Sequence, residues 1–460
     1  MEKKSAWEIL SENGKTEEVN KLSDSYIEFL NSAKTEIESV KWIEERAKEM
    51  GFKSIEEVKS IQPKSKLYAI ARGRNIALIR IGSRPIEEGF KIVASHIDAP
   101  RIDLKQIPVF EDNELVLLET HYYGGIKKYQ WVAIPLSLHI HLVKEDGRVV
   151  DITLGEDEKS PAFTIADLLP HLAAKQMEKK IKEAITGESL DILAGSIPEP
   201  SPKEKDDKKK ERVKEHILRI LKEEYDITEE DFISADIEVT PAFKAQYVGF
   251  DKGLIGGYGQ DDRICAFASL QAILEHSDTE YTTVALFVDK EEIGSTGITG
   301  MKSPFLKGIM RKIIKLTGKP IDVEEILENS KGISADVTGG INPTYKDVYE
   351  LRNTPKIGYG ISITKFTGSR GKAGGSEATA EYMALIRRIF NQNNVPWQTG
   401  ELGKVDEGGG GTIAQYMTNL GIEVVDAGPP LLGMHSPFEI SSKADLYASY
   451  MGYKVFYEKA

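Results

Sequence analysis

The stretch YTTVALFVDKEEIGSTG, Tyr281 to Gly297, decides how the rest of the chain is read. Its apolar run Val284-Ala285-Leu286-Phe287-Val288 reads as a strand, and the run empties into Asp289-Lys290-Glu291-Glu292-Ile293-Gly294. In an open α/β sheet, ligands gather beyond the carboxyl ends of the strands, so two adjacent carboxylates at such an end suit chemistry better than packing. One is placed to ligate a metal while the other, kept off it, takes a proton from activated water. The plainer alternative is a solvated acidic turn. The remainder of the chain has to separate the two.

With 460 residues the chain exceeds what one hydrophobic core usually holds, which predicts two domains. Lys and Arg number 60 against 73 Asp and Glu, a net charge of -13, which argues against nucleic acid or an anionic membrane as the main partner. The single cysteine, Cys265, excludes an intrachain disulfide and suits a reducing compartment, where it reads as a small buried apolar residue. No apolar run follows Lys3-Lys4, so no signal peptide is expected, and no stretch approaches the ~18 apolar residues of a membrane span. The expected address is cytoplasmic.

From Ser5 to Met50, apolar residues three and four apart (Leu22, Tyr26, Ile27, Leu30) predict amphipathic helices stopping at Gly51. Residues 67–71 and 75–81 predict a hairpin around Gly73-Arg74, and 91–95 a strand that delivers His96-Ile97-Asp98. After Pro108 the texture becomes β-rich, with strands predicted over 115–119, 130–143 and 148–154, followed by a helical pattern over 165–185. Residues 195–210, rich in Pro, Lys and Asp, predict a solvated loop, and 211–225 a helix. Strands are read at 232–239 and 243–250, after which strands and helices alternate to the end. The simplest assembly is a discontinuous α/β domain, 1–107 and 236–460, with a second, β-rich domain, 108–235, inserted in it.

Five places in the α/β part carry metal-type ligands just after strand-like segments: His96, Asp261, Glu292, Asp336 and His435. Two imidazoles and three carboxylates form a mixed N/O set, which suits Zn, Co or Mn better than Ca or Mg. Each has an ordinary reading alone, since a histidine after a strand is commonly a hydrogen-bonded core residue and an Asp there commonly caps a helix. Their ordered recurrence is the stronger signal. A two-metal hydrolase needs one carboxylate shared between the ions and an N and an O ligand for each, which is five ligands. In His96-Ile97-Asp98 the two polar side chains share a face of extended backbone, so Asp98 is placed to accept the second imidazole N–H.

On these residues the chain resembles the M18 family of metallo-aminopeptidases, the group of aspartyl aminopeptidase and vacuolar aminopeptidase I, over nearly its whole length. The carriers are Ala94 to Arg101 (ASHIDAPR), Gly259 to Arg263 (GQDDR), Asp289 to Ser295 (DKEEIGS), Ile333 to Asp336 (ISAD) and Met434 to Ser436 (MHS). The resemblance implies a phosphorylase/hydrolase-like zinc-peptidase domain of α/β class with an inserted dimerisation domain, commonly assembled into a tetrahedral dodecamer. It further implies that His96 and Asp336 hold one zinc ion, that Glu292 and His435 hold another, and that Asp261 bridges them. Asp98 then orients His96, and Glu291 is the general base. The segment Leu169-Pro170-His171-Leu172-Ala173 is similar to one whose histidine reaches from the dimerisation domain into the neighbouring subunit's active site. Read alone, His171 is an exposed helix residue beside a proline.

There are departures. Asp262 stands where relatives often have Asn, and Gly408 to Gly411 stand where relatives carry a Pro-Cys-Gly type loop near the substrate. Lys365 lies near a substrate-contacting lysine of the aspartyl-specific relatives, but its spacing to Ser376-Glu377-Ala378 requires a gap; its ordinary reading is a solvated lysine. The expected activity is removal of the N-terminal residue from peptides, with two Zn per chain (Co or Mn as substitutes) and the side-chain preference open between acidic and apolar. The same constellation serves zinc carboxypeptidases and amide deacylases, which hold the other end of the substrate. A reading of a different class is an inactive assembly or cargo protein that keeps the fold.

Overall fold

The computed structural model describes residues 4–200 and 211–460. Two units are distinguished. One takes in the chain up to Ala99 with Lys244–Met434 and Phe438–Ala460, the other Pro100–Phe243 with His435–Pro437. The joins read from the sequence, 107/108 and 235/236, fall inside the strands Arg101–Asp112 and Ala235–Pro241.

In the first unit a nine-stranded sheet runs in the order Lys53–Ser54, Lys66–Ala71, Asn75–Arg80, Thr282–Val288, Phe90–His96, Lys331–Ser334, Glu423–Gly428, Ile361–Thr364, Trp397–Thr399. Its centre is parallel, Thr282–Val288 beside Phe90–His96 beside Lys331–Ser334 beside Glu423–Gly428. The predicted hairpin is there, with Lys66–Ala71 antiparallel to Asn75–Arg80. Continuous apolar runs are required because both faces of this sheet are buried. Ala285 and Phe287 point into one core with Phe267, Tyr453 and Phe456, whereas Val284, Leu286 and Val288 point into the other with Ile309, Ile313 and Ile326. The helices Gln260–Glu275 and Lys443–Lys459 supply the first layer, Phe305–Thr317 and Val323–Glu328 the second. Fully burying each such side chain contributes roughly 1.5–3 kcal/mol.

The N-terminal pattern resolves into three helices, Ala6–Glu12, Thr16–Ser32 and Glu36–Glu49. Ser5 with Glu8 and Thr35 with Glu38 form capping boxes that set where the first and third begin. Cys265 is fully buried, as a small apolar residue would be.

The second unit is built on a six-stranded antiparallel sheet in the order Val149–Leu154, Leu136–Val143, Ala235–Pro241, Arg101–Asp112, Leu115–Tyr123, Ile192–Gly195. Arg212–Tyr225 is helical, as read from its pattern. Four sequence expectations need correction. The helix expected over 165–185 is only a 3-10 turn, Pro170–Leu172, and two four-residue helices, Ala174–Met177 and Ile181–Ala184. Pro170 donates no N–H, and Leu168, Leu169, Leu172, Met177 and Ile181 stay exposed among the described residues, where no packing face supports a longer helix. The strand expected over 130–143 begins only at Leu136, directly after Pro135, and 232–239 opens with a 3-10 turn, Glu230–Ser234. Of 243–250 only Gln246–Val248 is a strand. Most of the expected loop 195–210 (201–210) lies outside the described residues. Among the described residues no helix is long and apolar enough to cross a membrane.

Candidate metal centre

Register explains how residues far apart in sequence meet. Val288 is level with His96 in the parallel pair, so the Asp289–Glu292 turn begins beside the His96 side chain. Ser334 is level with Ala94, so Asp336, two residues on, comes level with His96 from the other side. Against these strands packs the Gln260–Glu275 helix, whose Asp261 (φ -79, ψ 108) and Asp262 (φ -114, ψ 25) depart from helical geometry. Three adjacent parallel strands and one helix entry therefore deliver a histidine and several carboxylates to one place. Gly428 allows the neighbouring strand to close in, because a Cβ there would sit 2.1 Å from the Asp336 carbonyl oxygen.

Within this cluster His96, Asp98, Asp261 and Asp262 are buried, and Glu291, Glu292 and Asp336 are half-buried. The ring of His96 donates Nδ1–H to the backbone carbonyl of Asp98 at 3.0 Å, which leaves Nε2, 3.3 Å from Asp261 Oδ1, as the nitrogen that a metal would take. The Asp98 carboxylate Oδ1 is 3.3 Å from Nδ1. Two sets of ligand atoms lie within 4.8 Å of one another, His96 with Asp261 and Glu292, and His96 with Asp262 and Asp336. Burial works against a charged His96, yet the Asp261 and Asp98 carboxylates outweigh it and hold its pKa well above the usual imidazole value. Burial, then the Asp262 carboxylate, pushes Asp336 up, and burial with the neighbouring Asp261 does the same to Asp262. This is an anionic pocket wanting positive charge.

A family model described as the aminopeptidase I zinc metalloprotease (M18) matches residues 29–457. The chain belongs to the M18 family. The probable M18 family aminopeptidase 1 of Clostridium acetobutylicum is 46% identical over 461 residues, spanning 99% of this chain and 98% of that protein. Among solved structures, the M18-family aminopeptidase from Thermotoga maritima matches with a TM-score of 0.95 at 46% identity, and aminopeptidase I from Clostridium acetobutylicum with 0.93 at 44%, each covering 100% of both chains. This M18 protein is a metallo-aminopeptidase, and its family is one of zinc enzymes.

The residues of this M18 chain fit zinc. One imidazole nitrogen and several carboxylate oxygens form a borderline N/O donor set, and the buried Oδ1 of Asp262 accepts no hydrogen bond. Asp262 was legible only as a departure from Asn. Its Oδ2 accepts the His96 backbone N–H at 3.3 Å, which ties the helix entry to the strand end. Glu439 was not legible at all, and Gln260 only as part of the GQDDR segment. Glu439 accepts the Asp261 N–H at 3.1 Å, and Gln260 bonds the Glu439 carbonyl at 2.6 Å while accepting the Ser441 hydroxyl at 2.6 Å. A lone Glu four residues after His435 carries no signal by itself.

The other candidates lie as follows. His435 has a left-handed backbone (φ 65), groups with the second unit, and places Nδ1 3.0 Å from the Gly125 carbonyl; it belongs to neither ligand set found among the described residues. His171, also in the second unit, is exposed in its 3-10 turn. Lys365 follows the Ile361–Thr364 strand and is exposed, its Nζ 3.4 Å from Glu377, which also binds Lys372 at 2.9 Å. Gly409–Gly410 pairs with Gly368–Ser369 in a short ribbon of the first unit.

Proposed function

We propose that the chain is a two-zinc aminopeptidase that removes the N-terminal residue of peptides, with the ions held by the five residues read from the sequence. His96 and Asp336 would hold one ion, Glu292 and His435 the other, with Asp261 shared; His435 takes this role on the family resemblance alone. The observation that carries the reading is the meeting of His96, Asp261, Glu292 and Asp336 at one end of three parallel strands, with Glu291 next in chain. Zinc, when bound there, supplies Lewis acidity, polarising the scissile carbonyl and lowering the pKa of water.

The rest is done by the chain's own groups. Glu291, half-buried beside the ligand Glu292, takes the proton of the attacking water and returns it to the leaving amine. His96, its tautomer set by the Asp98 carbonyl, presents Nε2 as the ligand atom. Relatives named aminopeptidases favour this over a carboxypeptidase or deacylase. At Lys365 the charge is already met by Glu377, so an acidic substrate side chain would have to replace one carboxylate by another; side-chain preference is left open between acidic and apolar residues. Co or Mn would substitute for Zn.

We further infer that the first unit is a phosphorylase/hydrolase-like catalytic domain and the second a dimerisation module, with subunits assembling into a tetrahedral dodecamer. Exposed Leu169, Leu172, Met177 and Ile181 of the second unit support a covered face there, and His171 among them would donate to the substrate carbonyl of a neighbouring subunit. A reducing, cytoplasmic address suits the buried thiol of Cys265. The test is a panel of amino acid amides and peptides, free or N-acetylated, assayed with and without added zinc. Free N-termini should be cleaved in a zinc-dependent way. Equal cleavage of acetylated peptides would point to another exopeptidase or deacylase.

A further inference from the structure

The turn that carries Glu291 and Glu292 has an unusual foundation. Lys290 (φ 68, ψ 18) and Ser295 (φ 56) are left-handed, a conformation that non-glycine residues hold only where surrounding structure imposes it, and Gly294 between them (φ 88) takes it freely. Asp289 fixes the entry, taking the Lys290 N–H on Oδ1 at 2.7 Å and the Thr299 hydroxyl on Oδ2 at 2.7 Å. The exit is fixed by Ser295 N–H to the Lys290 carbonyl at 2.7 Å. Between these, two consecutive amides point at one carboxylate: Glu291 N–H reaches Asp98 Oδ1 at 3.1 Å and Glu292 N–H reaches Asp98 Oδ2 at 3.2 Å. Successive backbone N–H groups converging on an anion form a nest, and here the anion is built in.

The same side chain is the one expected to orient His96. That ring, however, has its hydrogen-bond acceptor in the backbone carbonyl of Asp98 at 3.0 Å, closer than the carboxylate at 3.3 Å. We infer that the Asp98 carboxylate is a positioning clamp on the Glu291–Glu292 turn, and that the His96 tautomer is fixed chiefly by the Asp98 carbonyl, which no side-chain substitution removes. One residue then locks both halves of the centre, its carbonyl on the histidine and its carboxylate on the two glutamates. Ile97 between them is held to the neighbouring strand by its N–H to the Val288 carbonyl at 2.9 Å, so the clamp has a rigid base.

The inference rests on the proposed roles of Glu291 and Glu292 only for its effect on turnover; backbone protection tests it whatever those roles are. Hydrogen exchange of peptides covering residues 289–296 is measured on the metal-free protein for wild type, Asp98→Ala, Asp98→Asn and His96→Ala. Asp98→Ala should speed exchange of the Glu291 and Glu292 amides by about 10-fold or more, with the Gln260–Glu275 helix unchanged. Asp98→Asn, keeping one acceptor oxygen, should fall between and stands in if the alanine variant does not fold. His96→Ala should leave the turn protected. With zinc restored, Asp98→Ala should lower kcat with little change in KM, and Asp98→Asn should recover part of it. Unchanged exchange in both Asp98 variants, or equal loosening by His96→Ala, would overturn the clamp and return Asp98 to a residue that serves His96 alone.

Discussion

The two ends of the parallel strands in the first unit bury polar groups in opposite ways. At the end where these strands begin, Arg80 is buried yet spends its guanidinium on the carbonyls of Ile273 and His276, at 3.4 and 2.6 Å, capping the end of the Gln260–Glu275 helix. His276 there shares hydrogen bonds with the Ser277 carbonyl and Thr283 hydroxyl, and Lys91 lies over the Tyr281 ring at 4.2 Å. Arg80 and His276 find their polar partners within the chain, while burial and the nearby Lys331 and Arg84 lower the Lys91 pKa to about 8. At the other end one imidazole, His96, sits among Asp98, Asp261, Asp262 and Asp336, and burial, with their mutual repulsion after it, raises the pKa of both Asp262 and Asp336. Buried charges are normally paired, so a structural network closes on itself while a binding network leaves a surplus for its ligand to cancel.

The sharpest way to break this contrast is to remove a group that the account gives to chemistry alone. Glu291→Gln should lower turnover by about two to four orders of magnitude while zinc content and fold persist, since a positioned acid/base is worth that much. Normal turnover in Glu291→Gln, together with full metal content in Glu292→Gln, would mean the two roles are exchanged. A smaller effect is expected from His171→Ala. Loss of one donor to the transition state costs about 3 kcal/mol, roughly a hundredfold, with metal and assembly intact. Mixed assemblies of His171→Ala and Glu291→Gln chains should regain part of the activity if the donor acts across subunits; a mixture no more active than its parts, after proven subunit exchange, would exclude that.

The opposite end makes a quieter prediction, on stability alone. Burial first, then the nearby Arg80 charge, lowers the His276 pKa from 6.5 to about 4. The folded state therefore binds this proton more weakly than the unfolded chain, so the contribution of neutral His276 is complete above pH 6.5 and is lost as pH falls toward 4. The size is about 3 kcal/mol at most. His276→Gln should flatten the fall of Tm between pH 6.5 and 4 and leave kcat unchanged. A pH profile as steep as that of the wild type would show that other groups dominate acid unfolding.

What the sequence revealed follows the same division between local and long-range physics. The ligand-bearing strand ends were legible because apolar runs followed by Asp, Glu or His are local patterns. The order that makes the Thr282–Val288, Phe90–His96 and Lys331–Ser334 strands neighbours is not local, so the contacts of Asp262, Gln260 and Glu439 stayed hidden until the helix entry was placed. The strand Arg101–Asp112 was passed over because Pro108 reads as a break. It sits instead where the pairing shifts register between Leu104 and Val109, a bulge that leaves a proline no ladder bond to donate. Over 165–185 the helical spacing was present but its apolar face finds no cover among the described residues, and spacing without burial did not make a helix.

Zinc stoichiometry, by equilibrium dialysis of the metal-free wild-type and Asp261→Ala proteins followed by elemental analysis, tests the central claim most directly. If the carboxylate surplus around His96 is a metal site with Asp261 shared, the wild type holds two tight zinc ions per chain and Asp261→Ala loses affinity at both positions together. Two tightly held ions in the folded Asp261→Ala protein would contradict it.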